Sequence, residues 1–307
     1  MDKITFSQAI EGYTLDAQAR RLSWHTIADY HNTFRKLGAF LQADLPIADI
    51  TTGQLRGFFA ACTVSKKTQI NYHTGLSALW TWALKEKLVV ANIVRDVQPP
   101  RAEDRAVEPL SEADVRAMLG ALDKSQVYRR PGQRPTNHSL ATSTRNRAII
   151  LLLLDTGLRA TELCELTILH CDIKNRTLKV MGKGTKERIL PFSPSTGQAI
   201  WRYLATRKDA RMNEPLIASS QGRPLGRDDL RRLIANIGQR AGVHGAYPHR
   251  FRHTFAINFL RNGGNAYALQ MALGHASMDM VRKYLALAQT DIAAAHQIAS
   301  PVANWRL

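Results

Sequence analysis

Residues 246–284 read AYPHRFRHTFAINFLRNGGNAYALQMALGHASMDMVRKY and contain several side chains that can take part in chemistry. The stretch begins with Tyr247-Pro248-His249-Arg250-Phe251-Arg252-His253, continues through Leu273-Gly274-His275 and ends at Tyr284. The pattern from Pro194 onward is helical. Histidines, arginines and a tyrosine, which can bind anions or exchange protons, therefore belong to a helical part of the chain.

Each of these residues also has a purely structural explanation when it is considered alone. Tyr284, within Val-Arg-Lys-Tyr-Leu, can cover a core from an amphipathic helix. His249 and His253 are four residues apart and share a helix face, a spacing compatible with metal binding. The glutamate of a His-Glu-x-x-His metal site is missing, however, so the sequence predicts neither a metal nor another cofactor.

A predicted β-hairpin precedes this stretch. Leu178 to Met181 and Arg188 to Phe192 are strand-like runs, and the turn-rich Gly182-Lys183-Gly184-Thr185-Lys186 joins them into a hairpin with a basic tip. The glycines and lysine resemble a nucleotide-binding phosphate loop only superficially. Such a loop needs a glycine about five residues before the lysine, where Thr177 or a neighbouring residue stands here, so we exclude nucleotide binding.

Two further features lie upstream of the hairpin. Arg147 to Leu154 is a very apolar helix that is predicted to end at Asp155-Thr156-Gly157, within the run Thr156-Gly157-Leu158-Arg159-Ala160-Thr161-Glu162-Leu163. Residues 123–145 are polar and basic and lack an apolar period. They predict a long surface loop, either disordered or laid along a ligand.

Taken in order, these motifs resemble the tyrosine recombinases, the family of bacteriophage integrases and Xer-type chromosome-dimer resolvases. The family's active site contains arginine, lysine, histidine-x-x-arginine, a second histidine or tryptophan, and tyrosine. The matching residues here are Arg159, Lys183, His249, Arg252, His275 and Tyr284. Glu162 matches the acidic residue that supports the first arginine. The resemblance covers residues 109–290 in motif order and spacing.

The resemblance implies an enzyme that cuts and rejoins DNA without metal or ATP, through a 3′-phosphotyrosine on Tyr284. Arg159 and Arg252 would bind the phosphate with planar guanidinium groups. Lys183 would be the general acid and His249 the proton acceptor for the tyrosine. His275 would donate a further hydrogen bond to the phosphate.

The implied fold is mainly α with a small β-hairpin or sheet, arranged as a two-domain, C-shaped DNA clamp. Residues 1–97 read as four or five packed helices, with helix starts at Ser23, at Thr51 or Thr52, and at Ser65. The polar tract 98–108, with two prolines, predicts a linker. Residues 109–307 form the predicted mixed α+β catalytic domain, whose first helix begins at Ser111 with Asp114 in a capping box.

Charge supports a polyanionic partner. The net charge is +17 and the isoelectric point about 10.2. The residues before Gln98 carry a net charge of +3 and the remainder +14, so the surplus lies mainly in the second half. Double-stranded DNA is the favoured partner, although charge alone is also compatible with simple solubility. The residues predicted to face DNA are Lys66, Lys67, Lys186, Arg188 and Arg250. The two N-terminal lysines, Lys186 and Arg188 are equally compatible with solvated charges.

Assembly and location are predicted from the remaining sequence. Residues 285–307, with a short apolar segment at 292–298, are predicted to dock on a neighbouring protomer of a synaptic homotetramer, or alternatively on their own domain. Outside synapsis we expect a monomer or dimer. Three cysteines without metal-ligand spacing and no apolar run of about 18 residues favour a cytoplasmic protein.

Two other functions remain open at this stage. A type IB topoisomerase-like enzyme would use nearly the same residues on one duplex, and a DNA-binding regulator would use none of them catalytically. The complete residue set disfavours the regulator, and the N-terminal helices and C-terminal segment disfavour the topoisomerase. The loop at 123–145 favours a mobile-element integrase over a housekeeping resolvase.

Overall fold

A computed structural model of the chain describes residues 3–101, 107–123, 142–182, 187–207, 209–275 and 277–288, together with residues 296, 300 and 302. The chain divides into two compact units, Met1–Arg105 and Ala106–Leu307. The division falls within the tract 98–108. Residues 183–186 and most of the predicted loop at 123–145 lie outside the described residues, as does the segment at 292–298 apart from residue 296.

The described part of the first unit is helical. Its α-helices are α1 (Phe6–Ala19), α2 (Trp24–Leu41), α3 (Thr52–Ala61) and α4 (Lys66–Lys85). Each begins after a serine or threonine whose side-chain oxygen accepts a hydrogen bond from the backbone N–H three residues later, which stabilises the first turn. These N-caps are Thr5, Ser23, Thr51 and Ser65. The helix starts predicted at Ser23 and Ser65 are confirmed, and Thr51 is the cap of the third helix.

Apolar side chains at helical spacing form the core of this unit. Phe34 and Leu37 of α2 are buried, as are Leu76, Leu79 and Trp80 of α4. The two helices pack against each other, and α1 packs on both. Burial of large side chains at this spacing stabilises the bundle by roughly 1.5–3 kcal/mol for each fully buried residue.

The second unit is mixed, as predicted. Its α-helices are α5 (Glu112–Gly120), α6 (Ser143–Thr156), α7 (Ala160–Glu165), α8 (Pro194–Ala205), α9 (Arg227–Arg240), α10 (Pro248–Arg261), α11 (Ala266–Leu273) and α12 (Asp279–Ala288). Helix α5 begins at the predicted capping box, in which the Ser111 and Asp114 side chains each accept a backbone N–H from the other residue. None of the helices in the described ranges combines the length and apolar character needed to span a bilayer.

A small antiparallel sheet accompanies these helices. Its strands are β1 (Cys171–Asp172), β2 (Thr177–Met181) and β3 (Glu187–Pro191), in the order β1-β2-β3. Strands β2 and β3 correspond to the predicted hairpin, with Val180 opposite Arg188. The two-residue strand β1 was not predicted, because a segment this short has no alternating pattern to recognise.

The start of helix α6 differs from the prediction. It begins at Ser143, so residues 143–145 are helical and not part of the loop predicted at 123–145. Its first turn is polar, and the buried apolar residues begin at Ala148. Apolar periodicity therefore missed the first turn. From Ala148 onward the helix packs between α8 and α10, which places its C-terminal end beside α10 in the centre of the unit.

Candidate active site

Arg159 follows the buried end of α6. The helix stops at Gly157, whose φ of 62° is left-handed, and a Cβ there would come within 2.4 Å of the Phe255 ring. Only glycine fits this close approach. Arg159 then precedes α7, and its backbone N–H donates to Glu162 Oε2 at 2.8 Å while its Nη1 donates to Oε1 at 2.7 Å. Glu162 thus holds both the backbone and the side chain of Arg159.

Arg252 is the central cation of the site. It lies on α10 with only 1% of its surface exposed. Its Nη1 donates to Gly157 O at 2.8 Å, and its Nη2 donates to Leu273 O at 2.7 Å and His275 Nε2 at 2.9 Å. Burial, followed by the charge of Arg159, lowers the pKa of Arg252 to about 10. The guanidinium still carries its charge at neutral pH.

His275 comes directly after α11, which ends at Gly274 with a left-handed φ of 62°. Because a guanidinium can only donate, His275 Nε2 must accept the bond from Arg252, which places the proton of a neutral ring on Nδ1. Burial and then the charges of Arg252 and Arg159 lower the pKa of His275 to about 4, in agreement with a neutral ring. Nδ1 is buried and has no hydrogen-bond partner among the described residues.

Tyr284 lies on α12 and is 1% exposed. Its ring belongs to the apolar cluster that contains Leu260 and Val281. Its hydroxyl is buried and has no hydrogen-bond partner within the described ranges. Burial raises the pKa of this hydroxyl, while the positive charges of Arg252 and Arg159 act in the opposite direction. Tyr284 is thus both a packed core residue and the neighbour of two arginines.

Three histidine rings and the Tyr284 ring are in contact. The His275 ring is stacked on Tyr284, with centroids 6.3 Å apart and an angle of 11° between the planes. The His253 ring meets Tyr284 edge to face at 5.2 Å and meets His249 at 5.0 Å. Loss of solvation, then the charges of His253 and Arg252, lower the pKa of His249. Loss of solvation and Arg252 likewise lower the pKa of His253.

Arg188 corrects a sequence expectation. It was predicted to be a DNA-facing or solvated charge. Its side chain is only 13% exposed, which contradicts a solvated charge, while contact with DNA stays a prediction. Its Nη1 and Nη2 donate to Glu162 Oε1 and Oε2 at 3.1 and 2.8 Å, and its Nε donates to Ala272 O at 2.8 Å. The sequence could not show this, because the three residues are brought together only by the fold.

Arg250 is also hydrogen-bonded within the fold. Its Nε donates to Glu108 O at 3.0 Å, and its Nη1 donates to His244 O at 2.6 Å and more weakly to Gly245 O. The side chain is partly buried and bonded within its own unit. It fastens the start of this unit to the start of α10 and does not project as a free charge. These backbone carbonyls carry no sequence signal, so the bonds could not be predicted, and contact of Arg250 with DNA stays a prediction.

Four predicted residues remain: Lys66, Lys67, Lys183 and Lys186. Lys66 and Lys67 are exposed in the first turn of α4, in the other unit. Lys183 and Lys186 lie outside the described residues. The structure therefore brings Arg159, Glu162, His249, Arg252, His275 and Tyr284 into one site, and it adds Arg188 and His253. His253 had a visible signal, its position four residues after His249, but its contact with Tyr284 depends on how α10 packs against α12.

An open cleft of about 1070 Å³ borders one side of the cluster, at Arg159 and His275. It is lined by Arg159, Glu162, Arg188, Met271, His275 and Met280, among other residues. Among the described residues, no group of three or more His, Cys, Asp or Glu side chains is arranged to hold a metal ion.

Comparison with known proteins gives a consistent result. Residues 108–291 match the model of the "Phage integrase family". The tyrosine recombinase XerC of Pelobacter propionicus is 29% identical over 86% of this chain and 85% of its own length. The tyrosine recombinase XerD of Ralstonia nicotianae is 30% identical over 73% of this chain and 70% of its own length.

Solved structures share the fold. The Tn1549 transposon integrase in complex with a circular intermediate DNA has a TM-score of 0.74 at 22% identity, covering 94% of this chain and 98% of its own. The XerH site-specific recombinase bound to palindromic difH substrate has a TM-score of 0.72 at 22% identity, covering 98% of this chain and 85% of its own. At these identities the structures establish similarity of fold.

Proposed function

The chain belongs to the phage integrase family and is a tyrosine recombinase, and we propose that it cuts and rejoins specific DNA sites through Tyr284. One relationship carries the assignment of the nucleophile. Arg252, a buried cation, is hydrogen-bonded to His275, and the His275 ring is stacked on Tyr284. An anion-binding group and a proton-exchanging group therefore flank the tyrosine in one cluster.

The proposed reaction exchanges one ester for another. Tyr284 Oη attacks the scissile phosphorus, the bond from phosphorus to the 5′-oxygen breaks, and a 3′-phosphotyrosine forms. The phenolic proton passes to a base in the site, and the departing 5′-oxygen takes up a proton. Because the phosphoester bond is retained on the protein, rejoining is the reverse reaction and needs neither ATP nor a metal ion.

Arg159 and Arg252 supply charge stabilisation in this proposal. Both guanidinium groups are held by backbone carbonyls and by Glu162 or His275, so they are oriented before DNA arrives. Preorganised donors in a partly buried site stabilise developing negative charge more strongly than the same groups in water. The buried Nδ1–H of His275 is a further donor for a phosphate oxygen.

Proton transfer is assigned to the lysine and the histidines. Lys183, as the family resemblance implies, would protonate the 5′-oxygen. His249 would receive the phenolic proton, and His253 is in ring contact with both His249 and Tyr284. The lowered pKa values of His249 and His253 favour their neutral, proton-accepting forms at neutral pH. A neutral imidazole is the form needed to take a proton from a phenol whose own pKa is raised.

We propose double-stranded DNA as the partner and a homotetramer as the synaptic assembly. The net charge of +17 favours a polyanion. Lys66 and Lys67 are exposed at the N-terminal end of α4, where the helix dipole also favours phosphate. Of the segment 285–307, residues 285–288 belong to α12 and pack within their own unit, and residues 289–307 would dock on a neighbouring protomer. The cytoplasm is the proposed location. Sequencing the DNA that the protein binds will show whether its sites belong to a mobile element or to a chromosome.

A nicked suicide substrate tests the proposal. If the fragment beyond the cut diffuses away, cleavage leaves the protein covalently joined to DNA, and this adduct should form in EDTA without ATP. Adduct that persists unchanged in Tyr284→Phe would refute the assigned nucleophile. Complete absence of adduct from the wild-type chain with its bound site would favour a non-catalytic regulator.

A second substrate separates recombination from topoisomerase-like activity. Two differently labelled duplexes carrying the site should give recombinant products. Relaxation of supercoiled DNA by a monomer, with no exchange between duplexes, would favour the type IB topoisomerase alternative.

A further inference from the structure

The C-terminal end of α11 is held by three arginines from three different elements. Successive carbonyls each accept a hydrogen bond from a different guanidinium. The bonds run from Arg188 Nε to Ala272 O at 2.8 Å, from Arg252 Nη2 to Leu273 O at 2.7 Å and from Arg159 Nη2 to Gly274 O at 3.2 Å. The last carbonyls of a helix lack partners within it and carry partial negative charge, so cations are favourable there.

Arg159 and Arg188 both bond Glu162, and Arg188 is the more buried of the two. It bonds both oxygens of that carboxylate, and the exposed fractions of the two side chains are 13% and 6%. The Arg159 side chain, bonded to the same carboxylate, is 39% exposed. Glu162 is therefore shared between Arg159, which is exposed enough to reach a substrate, and Arg188, which is mostly buried.

The electrostatics of Glu162 agree with this arrangement. Burial disfavours its charged form, but hydrogen bonds from Arg188 and from the Arg159 backbone, together with the charge of Arg188, lower its pKa overall. Glu162 is thus a carboxylate at neutral pH. Without Arg188, a buried negative charge would keep only the more exposed arginine as its ion-pair partner.

Arg188 also packs closely against the turn that carries His275. Gly274, the residue before His275, has a φ of 62°, and a Cβ at this position would come within 3.2 Å of Arg188 Nη1. The guanidinium therefore fills the space beside the turn. It contacts the backbone on the N-terminal side of His275 and, through Glu162, the side chain of Arg159.

We infer that Arg188 is a positioning residue of the recombinase, which orients Arg159 through Glu162 and His275 through the end of α11. The inference rests on the proposed function. Arg188 does not need to touch DNA in this role. Its planar group supplies two parallel bonds to the carboxylate and a third to Ala272 O, a geometry that lysine cannot reproduce. Lysine should therefore be a poor substitute even though it retains the charge.

The chain offers a matched control for a merely structural effect. Arg207 has a side chain that is 14% exposed, and it pairs with Glu214 at 3.0 Å. Its Nη1 also donates to Pro215 O at 2.7 Å. The burial of the arginine, its ion pair with a carboxylate and its bond to a backbone carbonyl resemble those of Arg188, although Glu214 is 39% exposed where Glu162 is 6% exposed. Within the described ranges no hydrogen bond or ion pair joins Arg207 to the residues of the site. Arg207→Ala should therefore lose comparable stability without the specific effect on cleavage.

The test compares Arg188→Ala, Arg188→Lys and Arg207→Ala in single-turnover adduct formation on the nicked substrate, with melting temperature and DNA affinity measured in parallel. We expect both Arg188 variants to cleave roughly 10- to 100-fold more slowly, as is typical when a supporting residue is lost, with DNA affinity within a few-fold of wild type. Arg207→Ala should cleave at the wild-type rate at a temperature where it is folded.

A neutral methylphosphonate at the scissile position provides the distinguishing measurement. This group removes a negative charge that the arginines would neutralise, so a defect in orienting Arg159 should become smaller on it. The cleavage ratio of wild type to Arg188→Ala should fall by several-fold relative to the ordinary phosphodiester. An unchanged ratio, or a rate restored by Arg188→Lys, would overturn the inference.

Failure of this inference can be told apart from failure of the proposed function. If wild type forms an adduct that Tyr284→Phe abolishes, the proposed function stands. If the Arg188 variants then cleave like wild type, or lose activity only in proportion to unfolding as Arg207→Ala does, Arg188 has no positioning role. If wild type forms no adduct, it is the proposed function that fails.

Discussion

The His253 ring meets the Tyr284 ring edge to face at 5.2 Å, where α10 packs against α12. His253 Nδ1 and the Tyr284 hydroxyl are both buried without a hydrogen-bond partner in the described part of the chain. Unpartnered buried polar atoms are costly, and they commonly mark groups that gain a partner in the working state. Because of this contact, His253 is a candidate for a residue that affects the reactivity of the Tyr284 hydroxyl.

Replacement of His253 by phenylalanine should separate packing from proton transfer. Phenylalanine keeps a ring against Tyr284 but has no nitrogen, so we expect a melting temperature close to wild type and slower, differently pH-dependent cleavage. Rate against pH on the nicked substrate, from pH 5.5 to 8.5, measures this. His253→Ala is the comparison, since both its melting temperature and its cleavage rate should fall. If His253→Phe keeps the wild-type dependence of rate on pH, His253 contributes only packing.

Tyr284→Phe should abolish adduct formation and leave DNA affinity unchanged. The same change removes a buried hydroxyl without a partner among the described residues. Burial of such a group costs about 1–3 kcal/mol, so the free energy of unfolding should stay equal or rise by roughly 1 kcal/mol. Denaturant unfolding without DNA measures this. A loss of more than about 1 kcal/mol would show that the hydroxyl has a stabilising partner.

Acid should destabilise the fold through His275. Its pKa is about 4 in the folded chain, below the ordinary value of about 6.5 expected after unfolding. Between these values the unfolded chain binds the extra proton, so the free energy of unfolding rises with pH. The stabilisation is complete above about pH 6.5 and is lost as pH falls toward 4. His249 and His253, with pKa values shifted in the same direction, add to it.

Unfolding by urea at a series of pH values between 7 and 4.5 measures this dependence. His275→Gln should have a shallower slope than wild type across this range, because it removes one of the groups that must be protonated. Equal slopes for the two proteins would show that His275 does not contribute to the acid sensitivity of the free protein.

Lys183→Ala tests the proton donor. With an ordinary 5′-oxygen leaving group, this variant should cleave much more slowly, by the 10²- to 10⁴-fold typical of general acid catalysis. With a 5′-bridging sulfur the leaving group is a thiolate, whose conjugate acid has a pKa of about 8.5, so a proton donor is hardly needed. The sulfur substrate should therefore restore most of the rate. Arg159→Ala is the control, because it should cleave the sulfur-containing substrate as slowly as the ordinary one. If the sulfur substrate does not restore cleavage by Lys183→Ala, Lys183 is not the proton donor.

Local sequence was a good guide to the elements and to the chemistry they carry. Serine and threonine N-caps marked helix starts because their hydroxyls bond to N–H groups only three residues away, as at Ser65 and Ser111. Alternating apolar residues placed the strand containing Arg188. The order of arginine, lysine, histidine and tyrosine motifs indicated a phosphoryl-transfer enzyme through its resemblance to the tyrosine recombinases.

What the sequence by itself determined is therefore the helical segments and the hairpin, without strand β1 and the first turn of α6, and the kinds of side chain available for reaction. Only the tertiary structure decided which of those side chains meet. Arg188 and Arg250 look alike as exposed cations in the sequence, but the fold directs each toward particular carboxylate or carbonyl oxygens. Tyr284 keeps both of its possible roles, since packing of α12 on α10 buries it in a core and places it beside His253 and His275. The physical reason is range: capping and periodicity act over three or four residues, whereas these contacts join residues from 6 to 142 positions apart.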